Sequence, residues 1–109
     1  MTPQRIQLRR TKGWRKPEGA IVVARPSRWG NRFVVGSEYE DNSGRRFVRT
    51  AEDAVRDYRR WLTRSGMVDA ILARKHLPEL RGHDLACWCK PGDPCHADVL
   101  LELANGDLT

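Results

Sequence analysis

The sequence predicts an α/β fold: one compact domain over residues 1–109, with a small, mostly parallel sheet flanked by about three helices. Three observations predict it. "AIVVA" and "DLACWC" are short apolar runs of the kind that fill buried strands. The middle of the chain carries apolar residues at helical spacing. The end of the chain is a strand, a Gly/Pro loop and a helix in direct succession.

Taken in order, "QRIQLRR" alternates Ile6 and Leu8 with polar neighbours, the period-two pattern of a half-buried strand. "TKGWRKPEG" reads as a loop. "AIVVA", residues 20–24, is continuous and β-branched, as expected of a central strand covered on both faces. It runs into "RPSRWGN", where Pro26, Gly30 and Asn31 end the strand in an ordered loop. "RFVVG" and "RRFV" around an "NSG" turn predict a hairpin.

Thr50 followed by Asp53 has the form of a capping box, opening a helix whose stripe is Val55, Tyr58 and Leu62 beside Ala54 and Trp61. Gly66 ends it. "MVDAILARKHL" predicts a second, shorter helix buried through Met67, Ile71 and Leu72 and stopped near Pro78. A last helix is expected with Asp93 as N-cap, Pro94 in its first position, Val99, Leu100 and Leu103 inside, and Gly106 past its end.

The charge is lopsided, with 20 Lys and Arg against 14 Asp and Glu. From Arg5 to Arg32 there are nine basic residues and a single acidic one, Glu18. Such asymmetry fits an anionic partner, nucleic acid or a phosphate-bearing small molecule; solubility and a codon bias towards Arg explain it equally. No run approaches the roughly 18 apolar residues of a membrane span, and the N-terminus lacks a signal-like apolar region. A cytoplasmic protein with no membrane partner is the expectation, the host cytoplasm if the gene is a phage's.

All three cysteines lie in "CWCKPGDPCH", residues 87–96. Three is an odd number in a short chain without an export signal, which argues against a disulfide framework. In a strand, Cys87 and Cys89 share one face while Trp88 points away. The "KPGDP" turn then brings Cys95 and His96 back at a helix start. Three readings stay open. Cys87, Cys89, Cys95 and His96 are a common ligand set for zinc, although C-x-C-x5-C-H is not a usual zinc spacing and His83 is an alternative ligand. Cys95 is a nucleophile beside His96 if the helix dipole lowers its thiol. The third reading is three small apolar residues packed in and after a strand.

The second constellation is "RPSRWGN". Arg25 and Arg28 suit an anion, Ser27 and Asn31 can orient it, and Trp29 can stack on a base or sugar; equally, the motif is a turn whose Trp29 plugs the core and whose arginines are solvated. If the two apolar strands are parallel neighbours, this loop and the cysteine loop share the carboxyl edge of the sheet, where open α/β sheets bind ligands.

"RPSRWGN" with Phe33 close behind, "LACWC" and "CHADVLLELAN" together resemble the small proteins grouped as domain-of-unknown-function family 4326, found in bacteria and their phages. The resemblance runs from about Arg5 to Asn105. Many members carry Pro after the Asn of the first motif, where this chain has Arg32. The C…CH pattern is also distantly similar to domain-of-unknown-function family 488, in which Arg follows the His; Ala97 stands there in this chain, so that arginine's role does not carry over. Neither family supplies a reaction. The resemblance implies that Arg25, Ser27, Asn31, Cys87, Cys89, Cys95 and His96 form one site.

Two functional expectations follow. One is a pocket for a phosphate-bearing nucleotide or nucleic-acid ligand, with Cys95 and His96 as its catalytic pair if it is an enzyme. The other is a non-enzymatic phage or bacterial protein with a structural Cys/His cluster, holding zinc or none, that docks on nucleic acid or a host protein.

Overall fold

The structure is a computed structural model that describes residues 3–25, 27–41 and 43–106. The roles expected of Pro26 and of Asn42 in the "NSG" turn lie outside the described residues. Three parallel strands make one sheet: β1 (Arg5–Gln7), β2 (Ile21–Val22) and β5 (Leu85–Cys87), in the order β1-β5-β2. A separate antiparallel hairpin, β3 (Glu38–Asp41) and β4 (Gly44–Phe47), lies between β2 and the first helix in sequence. Helices α1 (Ala51–Arg64), α2 (Val68–His76) and α3 (His96–Asn105), with a 3-10 turn over Leu77–Leu80, complete the domain.

The parallel α/β expectation holds, and its strand order is corrected. β5 is the central strand and is buried at every residue, whereas the "AIVVA" run is an edge whose strand covers only Ile21–Val22. Apolar patterning marks both runs as strands but does not rank them. The ranking comes from β5's backbone, which is bonded on both sides. Leu85 N–H donates to the Gln4 carbonyl at 3.0 Å, and Val23 N–H donates to the Ala86 carbonyl at 2.9 Å. Val23 and Ala24, just past β2, do reach the core.

The hairpin partner also differs: "EYED" pairs with "GRRF", while "RFVVG" is irregular chain closed by a turn at Val35 and Gly36. Val34 and Val35 are consequently exposed.

α1 begins as expected. Thr50 Oγ1 accepts from the Asp53 N–H at 3.0 Å, and the Asp53 carboxylate accepts from the Arg49 N–H at 3.1 Å. Tyr58 and Leu62 are wholly buried and Val55 and Trp61 partly so. α2 turns the other way from the expectation. Ala70 and Ala73 are buried, and Met67, Val68, Ile71 and Leu72 face outwards. The small residues let α2 come close to α1. Arg74, on the same side, donates to the carbonyls of Leu62 (2.9 Å) and Ser65 (2.8 Å), satisfying the C-terminal end of α1.

α3 starts two residues later than the sequence indicates. Cys95 is the N-cap, in extended conformation, and His96 is the first helical residue. Asp93 and Pro94 belong to the preceding loop, in which Asp93 N–H donates to the Lys90 carbonyl and Gly92 takes φ 89°, a value that favours glycine. Val99 and Leu100 are buried as expected, and Leu103 packs partly buried against the core.

Candidate functional site

β2 and β5 run parallel with Ile21 beside Leu85 and Val22 beside Ala86, so the loops that follow them leave the same sheet edge. Between these loops lies a cleft of about 360 Å³. Arg25, Asn31 and Val35 line it from one side, and Cys87, Trp88, Cys89, Cys95 and His96 from the other. The two motifs read from the sequence therefore meet.

The floor of the cleft is sulfur. Sγ of Cys87, Cys89 and Cys95 all lie within 4.8 Å of one another. Cys87 and Cys95 are buried, with their sulfurs 3.1 Å apart, and Cys89 is half-buried. Cys89 stands just beyond the end of β5, yet its side chain returns to the Cys87 side while Trp88 points outwards.

The thiols are electrically distinct. Cys87 is lowered from its ordinary value because the Cys95 thiol donates to its sulfur. Cys95, as the donor in that contact and as a buried group, is pushed up to about 11. Burial pushes Cys89 up to about 11 as well, with Cys95 adding to the effect. The lowering expected at Cys95 from the helix terminus thus falls on Cys87 instead, because burial and the sulfur contact outweigh the dipole.

His96 is buried and held. Its Nε2–H donates to the Val23 carbonyl at 2.7 Å, and its ring meets Tyr58 edge-on with centroids 5.1 Å apart. Its Nδ1 lies 3.8 Å from Cys95 Sγ, within hydrogen-bonding reach of that sulfur. Among the described residues, the mutually close group that could hold a metal ion is the three cysteines, without His96. His83 is not part of the group; it sits before β5, and its Nδ1 bonds the Gly19 carbonyl at 2.8 Å.

The remaining residues of "RPSRWGN" divide. Arg25 is exposed on the cleft wall. Trp29 is buried in the core, and its carbonyl accepts from Tyr58 Oη at 2.9 Å, so it is a packing residue and not a stacking platform. Asn31 bonds its own surroundings: Nδ2 donates to the Ala54 carbonyl and Oδ1 accepts from the Phe33 N–H. Ser27 Oγ is buried without a hydrogen-bond partner among the described residues. Arg28 lines a different cleft, with Arg32, Trp61 and Asp69. Gly30 is needed for contact within the loop: a Cβ there would stand 2.8 Å from Arg25 Cα.

Two residues that sequence reasoning passed over complete the site. Arg5 reaches across from β1 with a largely buried side chain. It donates to the carbonyls of Asp93 (2.8 Å) and Lys90 (3.0 Å) and to the Asp98 carboxylate (2.9 Å). It fastens the loop that returns Cys95 to Cys87. No local pattern marks it, since its partners lie 85 to 93 residues away. Trp88 is 45% exposed on the cleft wall, with the Arg10 guanidinium 4.8 Å from its ring centroid. An exposed indole in a thiol-bearing strand end is the signal that could have found it.

A short parallel sheet with a thiol triad at its carboxyl edge, walled by an arginine-bearing loop, defines a small α/β domain with a built cleft. The chain belongs to the family described as "Domain of unknown function (DUF4326)", whose model matches residues 6–106. Over 34 residues it is 44% identical to an uncharacterized 12.4 kDa protein in the nrdA-td intergenic region of Enterobacteria phage T4, a match that spans 31% of each chain. No solved structure matches. Among the described residues no helix is long and apolar enough to cross a membrane.

Proposed function

We propose that the protein is a metal-binding domain, with zinc held by Cys87, Cys89 and Cys95 at the floor of the cleft. The observation that carries this reading is the convergence of three sulfurs within 4.8 Å in a chain with no other cysteine. Tetrahedral zinc with Zn–S near 2.3 Å sets its sulfurs about 3.8 Å apart. Cys87 and Cys95 need only spread from 3.1 Å to reach that separation. Bound metal would hold all three as thiolates, and its binding must offset the cost of deprotonating the two raised thiols. His96 Nδ1 is the fourth ligand closest to hand; a ligand entering the cleft is the alternative. The test is the metal content of protein purified without chelator, followed by zinc titration of the apo-protein. About one zinc per chain, lost in Cys87→Ser and Cys95→Ser, is the expected result. Absence of zinc at isolation together with failure to take it up would reject the reading.

A phosphate-bearing ligand in the same cleft is a second reading, favoured by the pairing of a cation with an exposed indole. Among the described residues Arg25 and Arg10 have no carboxylate within ion-pairing distance, and Trp88 offers the aromatic face first sought at Trp29. A nucleotide would place its base on Trp88 and its phosphate at Arg25, close to the N-terminus of α3. Asn31 and Arg28 contribute little, the one bonded within the loop and the other facing a different cleft. A nucleotide and oligonucleotide panel measured against wild type, Arg25→Ala and Trp88→Ala is the test. Affinity that falls steeply with salt and ignores sequence would instead indicate docking on a nucleic-acid backbone. Cys95 as a catalytic nucleophile fits less well, since it is buried and its thiol is raised.

A further inference from the structure

We propose that Cys87 and Cys95 are an oxidative modification site, joined as a disulfide by a hydroperoxide. The inference stands on geometry. Their sulfurs are 3.1 Å apart, so bond formation at about 2.05 Å needs a movement of about 1 Å. Both side chains are buried at the floor of the cleft they line, and the cleft has room for a molecule the size of hydrogen peroxide. Their order in the chain also permits the bond. Cys87 ends β5 and Cys95 precedes α3, with the returning loop fastened by Arg5 between them, so the pair is already juxtaposed.

The steps balance. Cys87 Sγ attacks one peroxide oxygen and the O–O bond breaks, giving a sulfenic acid at Cys87 and one water. Cys95 Sγ then attacks the Cys87 sulfur. The S–S bond forms, and the departing hydroxide leaves as water with the Cys95 proton. Two thiols lose two electrons in total, and one peroxide is reduced to two waters.

Cys89 is left as the single free thiol. An external dithiol reverses the bond by two successive exchanges, becoming a disulfide itself and returning both Cys87 and Cys95 as thiols, so the modification is a cycle and not a lesion. Where the triad carries zinc, oxidation removes two of its three sulfur ligands and the ion leaves. That last consequence rests on the metal reading; the disulfide does not.

The test takes the full chain as isolated, with its zinc measured, and adds about one equivalent of hydrogen peroxide. Three readouts are followed: intact mass, peptide mapping of the bridge, and zinc in solution through a colorimetric chelator. The expected result is a mass loss of about 2 Da, a Cys87–Cys95 bridge, release of any bound zinc, and full return with dithiothreitol. Cys89→Ser should still form the bridge, whereas Cys87→Ser and Cys95→Ser should not. A gain of oxygen in place of the bridge, or a bridge that includes Cys89 in the wild type, would overturn the proposal. Zinc present and retained under peroxide would overturn it while leaving the metal reading intact. A chain that is isolated without zinc, fails to take it up and still forms the bridge would reject the metal reading and uphold the disulfide.

Discussion

Gly30 shows how little room the loop around the cleft has. A methyl group there would lie 2.7 Å from the Arg25 side chain and 2.8 to 2.9 Å from its backbone, and a backbone cannot swing aside. Gly30→Ala should therefore cost about 1–3 kcal/mol, read as a shift in the urea midpoint at unchanged slope. Tyr58 gives a milder case: its hydroxyl is buried and bonded to the Trp29 carbonyl, so Tyr58→Phe should cost about 1 kcal/mol by the same measurement. Residue roles were only partly legible. The cysteines and His96 announced themselves by clustering, and they do cluster in space. Of the two readings of Trp29, a stacking face or a core plug, the structure takes the core plug, and the exposed indole on the cleft is Trp88. Asn31 and Ser27 were read as ligand-orienting for their chemistry, yet the loop uses the Asn31 amide to bind itself.

Element boundaries followed local chemistry where the chemistry was local. The Thr50 cap is visible in the sequence and present in the structure, and Thr50→Ala should lower stability by about 1 kcal/mol in urea unfolding. The start of α3 was misplaced because Asp93-Pro94 is a sound helix opening by itself. Arg5 overrides it by taking the carbonyls of Lys90 and Asp93 into its own hydrogen bonds. Arg5→Met keeps much of the side chain's packing and removes that clamp. The variant should bind zinc more weakly than wild type in a competition titration while its far-UV spectrum is retained; unchanged affinity would show that the loop holds itself. α2 carries two apolar stripes, and the bulkier one, Met67, Ile71 and Leu72, is the one its spacing marks. Ala70 and Ala73 won the core because small side chains permit close approach to α1.

Across the whole molecule, the thiols set a pH dependence for the metal-free protein. Cys89 and Cys95 are held at about 11 in the fold, against an ordinary value near 9 in the unfolded chain. Above pH 9 the unfolded state releases these protons while the folded state keeps them, so stability falls as pH rises from about 9 to about 11. The lowered Cys87 acts in the opposite sense just below pH 9. The urea midpoint of apo-protein should therefore decline over that window, and replacing Cys95 with Ala should flatten the decline. The α/β class was legible at this scale from the short apolar runs and the central helix. The strand order was not, since patterning identifies a strand without naming its neighbours.

That order bears on how the chain is made. β1 and β2 share no ladder among the described residues; each pairs only with β5, whose residues emerge after 84 others. On the ribosome, α1 and α2 can form from contacts within their own neighbourhood, but the parallel sheet has no first pair until its middle strand is synthesised. Ile6, Ile21 and Val23 must wait for it without partners. A nascent chain arrested before Leu85 should thus carry the helices and the local β3–β4 hairpin without protected amides in β1 or β2, and the parallel sheet and the sulfur site should appear together once the last segment is released.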